Sequence, residues 1–105
     1  MKHLEELQLV KMYAKYNYKC FVCGKPAIER AHIIGQGKTC HKMYGNTIID
    51  NPLNWLPVCS IHCNSLVDVG KGNLLASEIV DKIIRGDEPG ILVLVRANIY
   101  RKRGK

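Results

Sequence analysis

Apolar residues recur at helical spacing near the amino terminus, where Leu4, Leu7, Val10 and Ala14 line one side of a helix predicted over residues 4–16. The period then changes. Along Ala27-Ile28-Glu29-Arg30-Ala31-His32-Ile33-Ile34 the pattern is strand-like, and alternation puts Ile28, Arg30, His32 and Ile34 on one face. Gly35-Gln36-Gly37 interrupts it. The next stretch has no sustained period and reads as a long loop carrying Lys38, His41 and Lys42, punctuated by Gly45-Asn46. Asn54 to Val58 predicts a short second strand, and Ser60 to about Val69 a helix stopped by Gly70. Leu75, Ile79 and Ile83 predict a further helix from Asn73, closed by Arg85-Gly86. After the turn Asp87-Glu88-Pro89-Gly90, the apolar run Ile91 to Val95 predicts a strand or an extended packing segment. There is no internal repeat and no low-complexity stretch.

Two strands framed by helices in 105 residues predict one α+β domain. Its core spans 20–70, with the helix 4–16 before it, a helix and strand over 73–100 after it, and a basic tail at 101–105. A chain this short buries a modest core and often leans on a metal or a partner for stability. Hydrophobic residues make up 47% of it, which argues against general disorder. No apolar run approaches the roughly 20 residues that span a bilayer. The amino terminus, Met1-Lys2-His3-Leu4-Glu5-Glu6, lacks the apolar stretch of a secretory signal. A soluble, cytoplasmic protein is expected, with no membrane partner.

Charge narrows the partners. Lys+Arg number 16 against 9 for Asp+Glu, a net +7 that favours polyanions and above all nucleic acid. The surplus ends in Arg101-Lys102-Arg103-Gly104-Lys105, a tail suited to touching phosphates without reading sequence.

Four of the five cysteines sit in two clusters, Cys20-Phe-Val-Cys23 and Cys59-Ser-Ile-His62-Cys63. Such clusters in an intracellular chain point to metal before disulfides. Zinc needs four ligands in a tetrahedron. Cys20, Cys23 and Cys59 supply three, and either Cys63 or His62 the fourth. A redox Cys-x-x-Cys would want a βαβ context, which the pattern lacks. With four protein ligands the zinc has no open position, so it is structural. Cys40 is left over.

Chemistry must come from the segment between the clusters, which holds His32 and Asn54. Hydrolysing a phosphodiester needs an activated water, charge stabilisation and a proton for the leaving oxygen. A neutral imidazole near pH 7 can take the proton from water. One Mg²⁺ or Mn²⁺, bound through oxygens such as an Asn carbonyl, can polarise the phosphate.

The order Cys-x-x-Cys, Ala31-His32-Ile33, Asn54-Trp55-Leu56-Pro57-Val58-Cys59 and Cys63-Asn64 resembles the HNH endonucleases, the ββα-metal nucleases with a zinc-ribbon clamp. The resemblance covers Cys20 to about Gly70. It implies a small zinc-stabilised ββα-metal core with flanking helices, and metal-dependent cleavage of DNA. It implies His32 as general base, Asn54 as the residue holding the base's loop, and Asn64 as ligand of the catalytic cation. That choice favours Cys63 over His62 at the zinc. Arg30, sharing the face of His32, is a candidate for binding the scissile phosphate, and Lys38, His41 and Lys42 for contacting DNA. In many HNH proteins an Asp or His before the base also binds the catalytic cation; here that position is Ala31, with Glu29 and Asp50 as candidates to compensate. A duplex cutter of this size is expected to work as a homodimer. The reading from a different class is a non-catalytic zinc-ribbon module that binds nucleic acid.

Overall fold

Helix α1 (Lys2–Lys15) opens the chain in the computed structural model, which describes residues 2–104. Lys105 of the basic tail and the side chains of His3 and Leu4 lie outside the described residues. The helix forms where expected but turns a different side inward. Met12 is buried and Leu9, Tyr13 and Tyr16 are half-buried, while Leu7 and Val10 of the predicted stripe are each 58% exposed. Apolar residues occupy both sides of this helix, so periodicity alone could not choose. The larger Met and Tyr side chains pack toward the hairpin. Asn17 and Tyr18 then adopt left-handed φ values of 56° and 59°, ending the helix and swinging the chain toward Cys20.

Strands β1 (Glu29–His32) and β2 (Trp55–Val58) pair antiparallel, with Glu29 opposite Val58 and His32 opposite Trp55. The first strand is shorter than predicted at both ends, with Ile28 75% exposed before it and the Ile33 and Ile34 amides bonded to Asn54 after it. Within it the alternation holds. Arg30 and His32 project toward the Trp55 ring, whereas Ala31 is fully buried on the other face.

The segment predicted as a loop contains two helices, α2 (Lys38–Tyr44) and α3 (Asn46–Ile49). Both are too short to show a period, yet they bury Cys40, Ile48 and Ile49. Gly45, at φ +83°, makes the break between them, a conformation that strains other residues. A 3₁₀ turn (Pro52–Asn54) leads into β2.

Helix α4 (Ile61–Val67) starts at Ser60, whose hydroxyl accepts the Cys63 amide at 3.2 Å. Helix α5 (Leu74–Arg85) starts at Asn73, which accepts the Ala76 amide at 2.8 Å, and ends at Gly86. The predicted final strand is instead helix α6 (Glu88–Arg103). Asp87 caps it by accepting the Gly90 amide at 3.0 Å, and Pro89 sits in its first turn, where a missing amide hydrogen costs nothing. Its buried residues, Ile91, Val95, Asn98 and Ile99, follow helical spacing that the contiguous apolar run conceals.

The result is an α+β fold, mostly helical, around a two-stranded sheet. Ala31, Leu56 and Val58 of the hairpin share one core with Val67, Ile79, Ile91 and Val95. Each large aliphatic side chain buried there contributes about 1.5–3 kcal/mol. No helix among the described residues is long and apolar enough to cross a membrane.

Candidate functional site

The first cysteine pair lies on a tight turn closed by a bridge between Lys19 and Pro26. The Cys20 amide donates to Lys25 O at 2.6 Å and the Gly24 amide to Cys20 O at 3.0 Å, with Gly24 at φ +79°. The Phe21 amide donates to Pro57 O at 2.8 Å, tying this turn to β2. Cys59 follows that strand directly, and Cys63 sits in the first turn of α4. The sulfurs of Cys20, Cys23, Cys59 and Cys63 all lie within 4.8 Å of one another. Cys23 to Cys59 is 3.3 Å, Cys59 to Cys63 is 3.7 Å and Cys63 to Cys23 is 4.0 Å. A tetrahedron with Zn–S bonds of about 2.3 Å has S···S edges of about 3.8 Å, so the spacing fits. The four thiols could hold a metal ion such as zinc. His62 is exposed and outside the group. Burial pushes the Cys63 thiol up to about 12, whereas the Cys23 thiol, beside the Lys25 backbone amide, falls to about 7. A metal must displace these protons, so its affinity rises with pH.

The other end of the hairpin is organised by Asn54, which is fully buried. Its Oδ1 accepts the Ile34 amide at 2.8 Å, and its Nδ2 donates to Ile34 O and Ile49 O, both at 3.0 Å. Its own carbonyl accepts the Ile33 amide at 2.9 Å. One carboxamide thus joins the exit of β1 to the end of α3. A buried amide left unpaired would cost about 1–3 kcal/mol, so this clamp holds the strand end firmly.

His32, the last residue of β1, is 9% exposed. Its ring meets Trp55 edge-on with centroids 6.4 Å apart. The Arg30 guanidinium lies over the same indole at 4.5 Å and donates to Glu5 at 3.2 Å. Burial lowers the His32 pKa to about 4, with Arg30 and His41 acting in the same direction and Asp50 and Glu5 against it. The imidazole is therefore neutral at pH 7. Trp55 Nε1 is buried and has no partner among the described residues.

Lys38, His41 and Lys42, expected on a loop, share one face of α2 by their spacing. Both lysines are exposed, and His41 Nδ1 lies 2.5 Å from Asn46 Oδ1. His41 is close enough to depress the basicity of His32.

Asn64 stands apart. Its Nδ2 donates to Glu29 Oε1 at 3.4 Å, at the opposite end of β1 from His32. Alternation assigns Glu29 and Ala31 to one face of the hairpin, and Arg30 and His32 to the other. The fold thus gathers Arg30, His32 and Trp55 near His41 and Asp50, sets Asn54 beneath them, and pairs Asn64 with Glu29 separately. Among the described residues no hydrogen bond joins His32 to Asn64. Glu5 and the indole that orient Arg30 carried no signal in the sequence, since neither contact is local. Comparison with family models, curated proteins and solved structures finds no match to this chain.

Proposed function

We propose that this chain is a metal-dependent DNA endonuclease of the HNH type. The observation that carries the reading is the Asn54 clamp: a buried carboxamide fixing the strand end that bears a neutral histidine. In this reading a structural zinc on Cys20, Cys23, Cys59 and Cys63 anchors the far end of the same hairpin. His32 takes a proton from the attacking water. Arg30, already held in place by Trp55 and Glu5, meets the scissile phosphate, and Lys38, His41 and Lys42 meet its neighbours along the backbone. Asn64 and Glu29 would hold Mg²⁺ or Mn²⁺, which when bound would supply positive charge; the pair lies at the other end of β1 from His32, and the second reading rests on that separation. DNA is the partner, engaged by a homodimer where both strands are cut.

The second reading, a non-catalytic zinc-ribbon module that binds nucleic acid, draws on two observations. Ala31 is fully buried where many HNH proteins carry a cation ligand. Asn64 turns to Glu29 and not toward His32. Supercoiled plasmid incubated with zinc-loaded protein and Mg²⁺ or Mn²⁺ separates the two. Nicking that falls about 10²–10⁴-fold in His32→Ala, with zinc content unchanged, supports the nuclease. No nicking with either cation leaves the binding module.

A further inference from the structure

Between the first cysteine turn and the carboxyl half of α6 runs a groove of about 600 Å³, lined by Phe21, Val22, Arg96, Ile99, Tyr100 and Arg103. It shares no residue with the group gathered around His32. We infer that this groove binds an unpaired DNA strand, with bases stacking on its aromatic rings and phosphates on its arginines. The inference takes the polymer's identity from the nuclease reading and deepens it by naming the form of substrate.

The groove has a rigid wall and a charged rim. Phe21 is held by its amide bond to Pro57 O and by an edge-on contact with Tyr16, 5.8 Å between centroids. Its ring carries the Arg96 guanidinium at 4.4 Å. Ile99 forms a floor only 7% exposed, while the Tyr100 ring stands 82% exposed at the rim. No acidic residue lines the groove. Arg96 and Arg103 have no carboxylate partner among the described residues, unlike Arg30 with Glu5 and Arg85 with Asp81. Nearby Arg101 and Lys102 are engaged with Asn98 Oδ1 and with the carbonyls of Ser65 and Asp68. Of the α6 cations, Arg96 and Arg103 are thus the two with no hydrogen-bond or carboxylate partner among the described residues.

Charge and shape together select the occupant. An acidic peptide would satisfy the arginines and leave the Tyr100 face uncovered. A duplex keeps its bases stacked inside and offers phosphates alone. A single strand presents π-faces and phosphates in alternation, which suits stacking platforms set among arginines.

The test is fluorescence anisotropy with zinc-loaded protein, without added Mg²⁺ or Mn²⁺, at one salt concentration. The probes are a fluorescein-labelled oligothymidine and a duplex of equal length. Oligothymidine is expected to bind more tightly than duplex, to lose about tenfold in affinity with Tyr100→Ala, and to regain it with Tyr100→Phe. Arg103→Ala is expected to flatten the salt dependence of oligothymidine binding. Because Tyr100 is exposed, an unchanged melting temperature shows that the variant is folded. Equal binding of oligothymidine by wild type and Tyr100→Ala overturns the inference. So does displacement of the oligonucleotide by polyglutamate at the same midpoint from both proteins, which would mark an acidic-peptide site. Plasmid nicking, run in parallel, distinguishes the two levels. Absent nicking with intact, Tyr100-dependent oligothymidine binding removes the nuclease reading and supports the groove. Intact nicking with Tyr100-independent binding does the reverse.

Discussion

At the Glu29–Val58 end of the hairpin, four thiols converge from a tight turn, a strand end and a helix start. At the His32–Trp55 end, a single carboxamide gathers backbone groups of Ile34 and Ile49, and an indole orders an arginine and a histidine. Both ends solve the problem of holding a two-stranded sheet, which is marginal on its own. They do so with different forces. A metal bound by four thiolates contributes about 10–16 kcal/mol in small zinc domains, whereas each buried hydrogen bond contributes about 1 kcal/mol net. The sulfur end is therefore suited to holding the fold, and the carboxamide end to aiming side chains.

That contrast can be broken at either end. The largest effect is expected from Cys63→Ser. Zinc measured by elemental analysis should fall from about one per chain to near none, and the cooperative melting transition should disappear. Retained zinc would contradict the four-thiol geometry.

Asn54→Ala comes next. It strands the Ile34 amide and two carbonyls in the core, and should lower the stability of zinc-loaded protein by about 3 kcal/mol in urea titrations, with zinc retained.

The histidine end should also respond to pH. With its pKa depressed to about 4, folded His32 stays neutral while the unfolded chain takes up a proton near pH 6.5. The unfolded state binds more protons across this window, so stability should fall as pH drops from about 6.5 to 4 and be independent of this group above it. His32→Gln should remove that dependence. In the nuclease reading, the acid limb of the nicking profile should lie well below pH 6.5.

Smaller effects sharpen the comparison. In either nucleic-acid reading, Lys38→Ala and Lys42→Ala should each reduce the salt slope of DNA binding by about one, with little change in melting temperature. His62→Ala should change neither zinc content nor stability, because the imidazole lies outside the thiol group.

What could be read in advance followed from short-range signals. The two cysteine clusters, both strands, and the helices capped by Ser60 and Asn73 are each encoded within a few residues. Ile91–Val95 is apolar throughout and so reads as a strand or an extended packing segment, and the helical period of α6 emerges only when Asn98 and Ile99 are included. Helices α2 and α3 are a turn or two long, below the length at which a period can be seen. On α1 two apolar sides competed, and only the shape of the hairpin beneath it selected Met12 over Leu7 and Val10.

By itself, the order of residues determined the two cysteine clusters, the placement of His32 on a strand and the surplus of positive charge, and left Cys63 and His62 open as the fourth ligand. The tertiary structure decided that Cys63 and not His62 joins the other thiols, what each strand face meets, that Asn64 pairs with Glu29, and which segments Asn54 would join. The physical reason lies in range: metal-ligand spacing and capping act over a few bonds along the chain. Facing, burial and the depression of a pKa depend on neighbours that only the folded chain supplies.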